Sequence, residues 1–67
     1  MIGGDKVLKL KGKRVEKGLT QEAISKLLNI EKATYGRKER GVAQFTLYEV
    51  KQLLEILDCR FEDIFLD

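Results

Sequence analysis

The sequence predicts an all-α domain of five short helices, and three observations carry that expectation. Apolar residues recur at spacings of three and four, and period-two alternation is absent. Helix start and stop signals bound these segments: Thr20 and Thr46 precede apolar stripes, and Gly18, Asn29 and Gly41 follow helical ones. A chain of 67 residues without proline has room for one core and no second domain. The expected unit is therefore a single domain over residues 1–67.

Each helix has its own justification. The first is expected to start after Asp5 as N-cap and end at Lys17, with Gly18 as the left-handed stop. Val7, Leu10 and Arg14 share one of its faces, flanked by Val15, and Gly12 weakens its interior by about 1 kcal/mol relative to alanine. The second runs from Gln21 to Leu28 behind Thr20 as N-cap, with Leu19 and Ile24 placed as a hydrophobic staple. Ile24, Leu27 and Leu28 are expected inward, Asn29 suits a left-handed stop, and Ile30 is expected to be buried in the turn. The third is expected over 31–40, opened by Glu31 and stopped by Gly41. Thr46 and Glu49 form a capping box for the fourth, Phe45 is placed to staple onto Val50, and Val50, Leu53, Leu54 and Leu57 make its stripe. Asp58, Cys59 and Arg60 break it, and a short turn from Phe61 to Phe65 closes the fold. Phe61, Phe65 and Leu66 are expected in the core, the alternative being a dimer contact. Met1–Gly4 reads as a short unstructured lead.

Composition narrows the chemistry. With no His there is no imidazole base, imidazole metal ligand or switch near neutral pH. The single cysteine, Cys59, allows neither an internal disulfide nor a cysteine zinc cage, and is expected to be a half-buried hydrophobe. Ser25, the only serine, lacks the usual triad partner. The longest uncharged run, Gly41 to Tyr48, is far short of the roughly 18 residues of a membrane span. No export signal is visible, and with a lone thiol this gives an expectation of a cytoplasmic location. No cofactor, metal or small-molecule effector is expected. A net charge of +2 hides a strong asymmetry: residues 1–41 carry eleven Lys/Arg and five Asp/Glu, whereas residues 42–67 carry two and six. A basic half joined to an acidic half favours a polyanionic partner at one end, whether nucleic acid, an anionic membrane or an acidic protein.

The most informative stretch is Thr20 to Gly41. Two short helices, joined by a turn of three or four residues and packed by Ile24, Leu28, Ile30 and Tyr35, make a helix-turn-helix unit over 20–41. The steep crossing leaves one face of the second helix outward, carrying Lys32, Ala33, Gly36, Arg37 and Arg40 as a single stripe. That stripe holds three cations, two small residues and no carboxylate, whereas an ordinary solvated face mixes both signs. Small residues permit close backbone approach, cations offer donors to phosphates and base edges, and an α-helix fits the major groove.

Gly18-Leu19-Thr20-Gln21-Glu22, followed by Lys38-Glu39-Arg40-Gly41, resembles the phage repressor and Cro-type (XRE-type) helix-turn-helix family, over roughly Lys9 to Phe65. The resemblance implies a compact five-helix, lambda-repressor-like DNA-binding domain that acts on double-stranded operator DNA as a homodimer. It also implies residue roles. Gln21 would donate to a phosphate, Lys32, Ala33 and Arg37 would face base edges, and Arg40 would hold a phosphate. Arg14 and Glu39 would tie the first helix to the third. The chemistry of these residues agrees in kind. Arg37 can reach guanine O6 and N7 bidentately, Lys32 can do so less rigidly or sit on a phosphate, and Ala33 can pack on a thymine methyl. The Arg14–Glu39 pair is expected to be a partly buried strut fixing the recognition helix.

Several positions depart from the family pattern. Ser25 stands where alanine is usual, Asn29 where glycine is usual, and Glu31 where Ser or Thr is common. Tyr35 replaces Ile or Val, so the contact between the motif helices must be roomier. Lys38 replaces an apolar residue and would have to snorkel. The loop Val42-Ala43-Gln44 lacks basic residues, leaving backbone N–H groups as its main donors. Gly36 weakens the third helix, and the sequence leaves open whether it serves a close approach to DNA.

The function expected on this basis is sequence-specific double-stranded DNA binding by a transcriptional regulator. One recognition helix reads only about four or five base pairs, so two copies on half-sites roughly 34 Å apart are expected. The alternative is a protein-interaction module of the same fold, an antitoxin or co-regulator, which has no use for the cationic stripe. An enzyme built on paired carboxylates such as Glu62 and Asp63 lacks a chain large enough to enclose a pocket. Membrane-surface binding lacks a helix that joins a basic face to exposed aromatics.

Overall fold

A computed structural model of the chain describes residues 8–65. The expected cap Asp5, the face residue Val7, the lead Met1–Gly4 and the core candidate Leu66 lie outside the described residues. Five α-helices follow in order: α1 Leu8–Glu16, α2 Gln21–Leu28, α3 Lys32–Glu39, α4 Leu47–Leu57 and α5 Phe61–Phe65. α1 packs on α5, and α2 packs on both α3 and α4.

Caps set these boundaries. Gly18 ends α1 with a φ of 74°, and the N–H of Leu19 closes back on the Arg14 carbonyl at 3.1 Å. The Thr20 hydroxyl accepts from the Ala23 N–H at 3.0 Å and starts α2. Asn29 ends it in the left-handed region (φ 62°, ψ 41°), where a short polar side chain is tolerated almost as well as none. α3 is shorter at both ends than the sequence suggests, because Glu31 and Arg40 are its flanking caps and Glu31 makes no side-chain capping bond. The capping box of α4 is complete: the Glu49 N–H donates to Thr46 Oγ1 at 3.0 Å, and the Thr46 N–H donates to Glu49 Oε1 at 2.9 Å. Asp58, at φ 51°, terminates α4, and the Asp63 carboxylate accepts from the Arg60 N–H at the start of α5.

The core gathers Leu10 of α1, Ile24 and Leu28 of α2, Tyr35 of α3, Val50, Leu53 and Leu57 of α4, and Ile64 and Phe65 of α5 around Phe45. Phe45 touches aromatic neighbours on two sides, with Tyr35 and Phe65 centroids each 6.1 Å away. Leu27 is a correction: it is 54% exposed, because the buried stripe of α2 runs through Ile24, Ser25 and Leu28 and leaves Leu27 on the outer flank. The small side chain of Ser25 takes the inner position, its hydroxyl donating to the Glu22 carbonyl at 2.8 Å. Val15 also faces outward, Ile30 is half-buried rather than buried, and Cys59 is half-buried as its type suggests.

Lys38 is a second correction. Its ammonium does not snorkel to water; it meets Glu49 Oε1 at 2.6 Å, with the two side chains only 12% and 11% exposed. The Glu49 carboxylate that caps α4 therefore also neutralises the cation standing where an apolar residue was expected, and joins α3 to α4. Burial raises the Glu49 carboxyl, but the hydrogen bonds from Lys38 and Thr46 outweigh it and hold the group below its ordinary value.

Candidate nucleic-acid interface

The steep turn between α2 and α3 gives the outer face of α3 to solvent. Lys32, Ala33, Arg37 and Arg40 are all exposed there, and Gly36 lies covered among them. Together with Gln21 at the first position of α2, these residues line one open depression of about 370 Å³. Five of the residues expected to touch DNA thus converge on one surface. The side chains of Lys32 and Arg40 have no hydrogen-bond or carboxylate partner among the described residues, and that of Arg37 makes only a long bond, 3.4 Å, to Thr34 Oγ1. Elsewhere among the described residues Lys13, Lys26 and Arg60 are paired with carboxylates, while Lys11, Lys17 and Lys51 are not, so what sets this face apart is that its cations share one depression that no carboxylate lines. Lys32, Arg37 and the cap residue Arg40 therefore present their donors outward, uncompensated.

Behind this face lies the strut. Arg14 Nε donates to Glu39 Oε2 at 2.7 Å, and Nη2 donates to Oε1 at 3.2 Å. The two side chains are 8% and 4% exposed, so the pair is buried more completely than the sequence suggested. The third guanidinium nitrogen donates to the Leu19 carbonyl at 2.7 Å, tying α1 to the entrance of the motif. Two further donors converge on the same carboxylate: Tyr35 Oη at 2.7 Å and Gln21 Nε2 at 2.9 Å. Burial raises the Glu39 carboxyl, but the hydrogen bonds from Arg14, Gln21 and Tyr35, with the charge of Arg14, hold it below its ordinary value. The hydrogen bond from Arg14 to Glu39 raises the guanidinium further, and burial pushes the Tyr35 hydroxyl well above its usual range.

Tyr35 is the residue that sequence reasoning missed. It was expected only to fill space between the motif helices, yet its hydroxyl completes the Glu39 cage. The signal was present: Tyr35 and Glu39 stand four apart on one helix and meet by that spacing. Gln21 is placed differently from the simplest expectation, since one of its amide N–H groups is committed to Glu39. Its other amide N–H and the backbone N–H groups of Gln21 and Glu22 remain to meet an anion, the Ala23 N–H being taken by the Thr20 cap. No group of three or more His, Cys, Asp or Glu among the described residues could hold a metal ion. No helix among them is long and apolar enough to cross a membrane.

A short α2, a tight left-handed turn and an α3 with an uncompensated cationic face define a helix-turn-helix DNA-binding protein. A family model described as helix-turn-helix matches residues 10–64, and the chain belongs to that family. Among solved structures, the restriction-modification controller protein C.AhdI from Aeromonas hydrophila is similar, with 28% identity and a TM-score of 0.79, over 91% of this chain and 92% of that one. No curated protein matches the chain significantly. The chain is a DNA-binding transcriptional regulator.

Proposed function

We propose that this regulator reads double-stranded DNA sequence-specifically, by laying α3 in the major groove. The observation that carries the reading is the convergence of Lys32, Ala33, Gly36, Arg37, Arg40 and Gln21 on one open depression without a carboxylate. Arg37 addresses guanine O6 and N7, Lys32 a guanine edge or phosphate, and Ala33 a thymine methyl. The N-terminus of α2, with Gln21, meets the phosphate backbone beside the groove. The buried Arg14–Glu39–Tyr35–Gln21 cluster fixes the angle of α3 to α1 and α2, so that these contacts are formed without reordering.

The chain acts by binding rather than catalysis, in the cytoplasm, as one domain over 1–67. It works as a homodimer on half-sites roughly one helical turn apart. The likeness to a restriction-modification controller protein supports a regulator of that kind. The test is a titration on a selected and a scrambled duplex at several salt concentrations, with sedimentation of the complex. Affinity should fall with a log–log slope of about −0.9 per phosphate neutralised. Two chains should sediment per site. If Ala variants of Lys32 and Arg37 weaken both duplexes equally, the face is a non-specific basic patch; one chain per site would remove the dimer.

A further inference from the structure

Gly36 sits in the middle of the recognition helix and has no backbone reason to be glycine. Its φ is not positive, unlike those of Gly18 and Gly41. In a helix interior it is a poorer choice than alanine. What it provides is space. A Cβ at this position would stand 3.3 Å from Arg40 Nη1 and 3.6 Å from Gln21 Oε1. Arg40 is the C-terminal cap of α3, and a guanidinium there could reach out past the helix end to a phosphate. Instead it folds back one turn and lies over Gly36, inside the depression that Lys32, Ala33 and Arg37 also line. It has no protein acceptor there among the described residues. A planar cation with free donors, lying over a missing side chain in the depression that Arg37 also lines, is set for an acceptor-rich edge rather than for the backbone outside the groove.

We propose that the absence of a side chain at Gly36 turns Arg40 from a phosphate-holding residue into a second base-reading residue, directed at the O6 and N7 of a guanine. The inference rests on the groove assignment of α3 proposed above, and departs from the phosphate role that the family resemblance gives Arg40. Gly36 is a positioning residue here and acts only through Arg40. Alanine at 36 would set its Cβ against the guanidinium at 3.3 Å, so that Arg40 must give by a few tenths of an ångström and lose its seat over the helix backbone, which a flexible side chain can do at little cost to the fold.

The experiment uses the full chain and its Gly36→Ala, Arg40→Ala, Arg40→Lys and Gly36→Ala/Arg40→Ala variants, with Arg37→Ala as reference. Each is melted and titrated on the selected and scrambled duplexes at several salt concentrations. Gly36→Ala should raise Tm by about 2–6 °C and cut the selected-to-scrambled affinity ratio about tenfold. Arg40→Ala should cut the ratio similarly, and so should Arg40→Lys, which keeps the charge but loses the fork. The double variant should match Arg40→Ala. The proposal is overturned if Gly36→Ala leaves the ratio unchanged, or if its effect multiplies with that of Arg40→Ala. It is also overturned if Arg40→Ala weakens both duplexes equally and flattens the salt slope by about one, the signature of a phosphate contact. Should Arg37→Ala also leave the ratio unmoved, the groove assignment itself fails; should Arg37→Ala alone reduce it, only the role of Gly36 and Arg40 fails.

Discussion

Replacing Glu39 with alanine should come close to unfolding the protein. The carboxylate accepts four hydrogen bonds, two from Arg14 and one each from Tyr35 and Gln21. Removing it leaves the Arg14 guanidinium buried with the Leu19 carbonyl as its remaining acceptor, and the buried Tyr35 hydroxyl without one. Breaking a buried ion pair from one side costs about 3–5 kcal/mol. The retained bond to Leu19 puts the cost here at the lower end, about 3 kcal/mol. A domain of this size has only about 3–5 kcal/mol to lose. Urea unfolding followed by far-UV circular dichroism should therefore show the midpoint falling by about 3 M, taking a slope of about 1 kcal/mol per M. Arg14→Met with Glu39→Met, which removes both charges together, should recover most of that loss, because no unpaired charge stays buried. A Glu39→Ala midpoint within about 0.5 M of wild type would refute the strut as the element that holds α3.

Further outcomes follow from the same structure. Glu39 and Glu49 both have folded pKa values below the ordinary one, so their stabilisation is present above the unfolded value of about 4.3 and is lost as pH falls through the lower folded values. Thermal melts should be flat from about pH 7 to 5 and drop steeply below about pH 4, and a Tm unchanged down to about pH 3 would contradict this. Lys38→Ala should cost about 2–3 kcal/mol in urea unfolding, by leaving the Glu49 carboxylate buried beside only the Thr46 N–H, whereas loss of the cap in Thr46→Ala should cost about 1 kcal/mol; a Lys38→Ala midpoint equal to that of wild type would mean that the Lys38–Glu49 contact contributes nothing. Gly12 faces open space within α1, so Gly12→Ala should stabilise by about 0.5–1 kcal/mol, and a fall in Tm would show that the position is crowded.

Much of this was legible in the chain because it is local. Caps act over three or four residues, so Thr20, Asn29, Thr46 with Glu49, and Asp58 announced their helix ends. The outward stripe of α3 followed from periodicity once the turn before it was recognised, and its convergence with Gln21 followed from the motif. Non-local pairings were harder to read. Lys38 and Glu49 are eleven residues apart in different helices, and only the oddness of a lysine at an apolar position hinted at a buried partner. Leu27 looked inward because an apolar residue was preferred to Ser25. The structure reverses that choice: a small serine can bond its own helix and let a neighbour approach, which composition does not reveal. The fold of Arg40 over Gly36 depends on a side-chain direction that no periodicity fixes.

The central claim is that α3 reads base edges, and selection from a random duplex library tests it most directly. Wild type and Arg37→Ala, each shown to be folded by circular dichroism, would be taken through the same rounds and the bound DNA sequenced. The account predicts that wild type enriches a two-fold symmetric motif, with half-sites about one helical turn apart. Arg37→Ala should lose the preference for guanine at one position in each half and keep the rest. No enriched motif with wild type, or the same motif with both proteins, would contradict it.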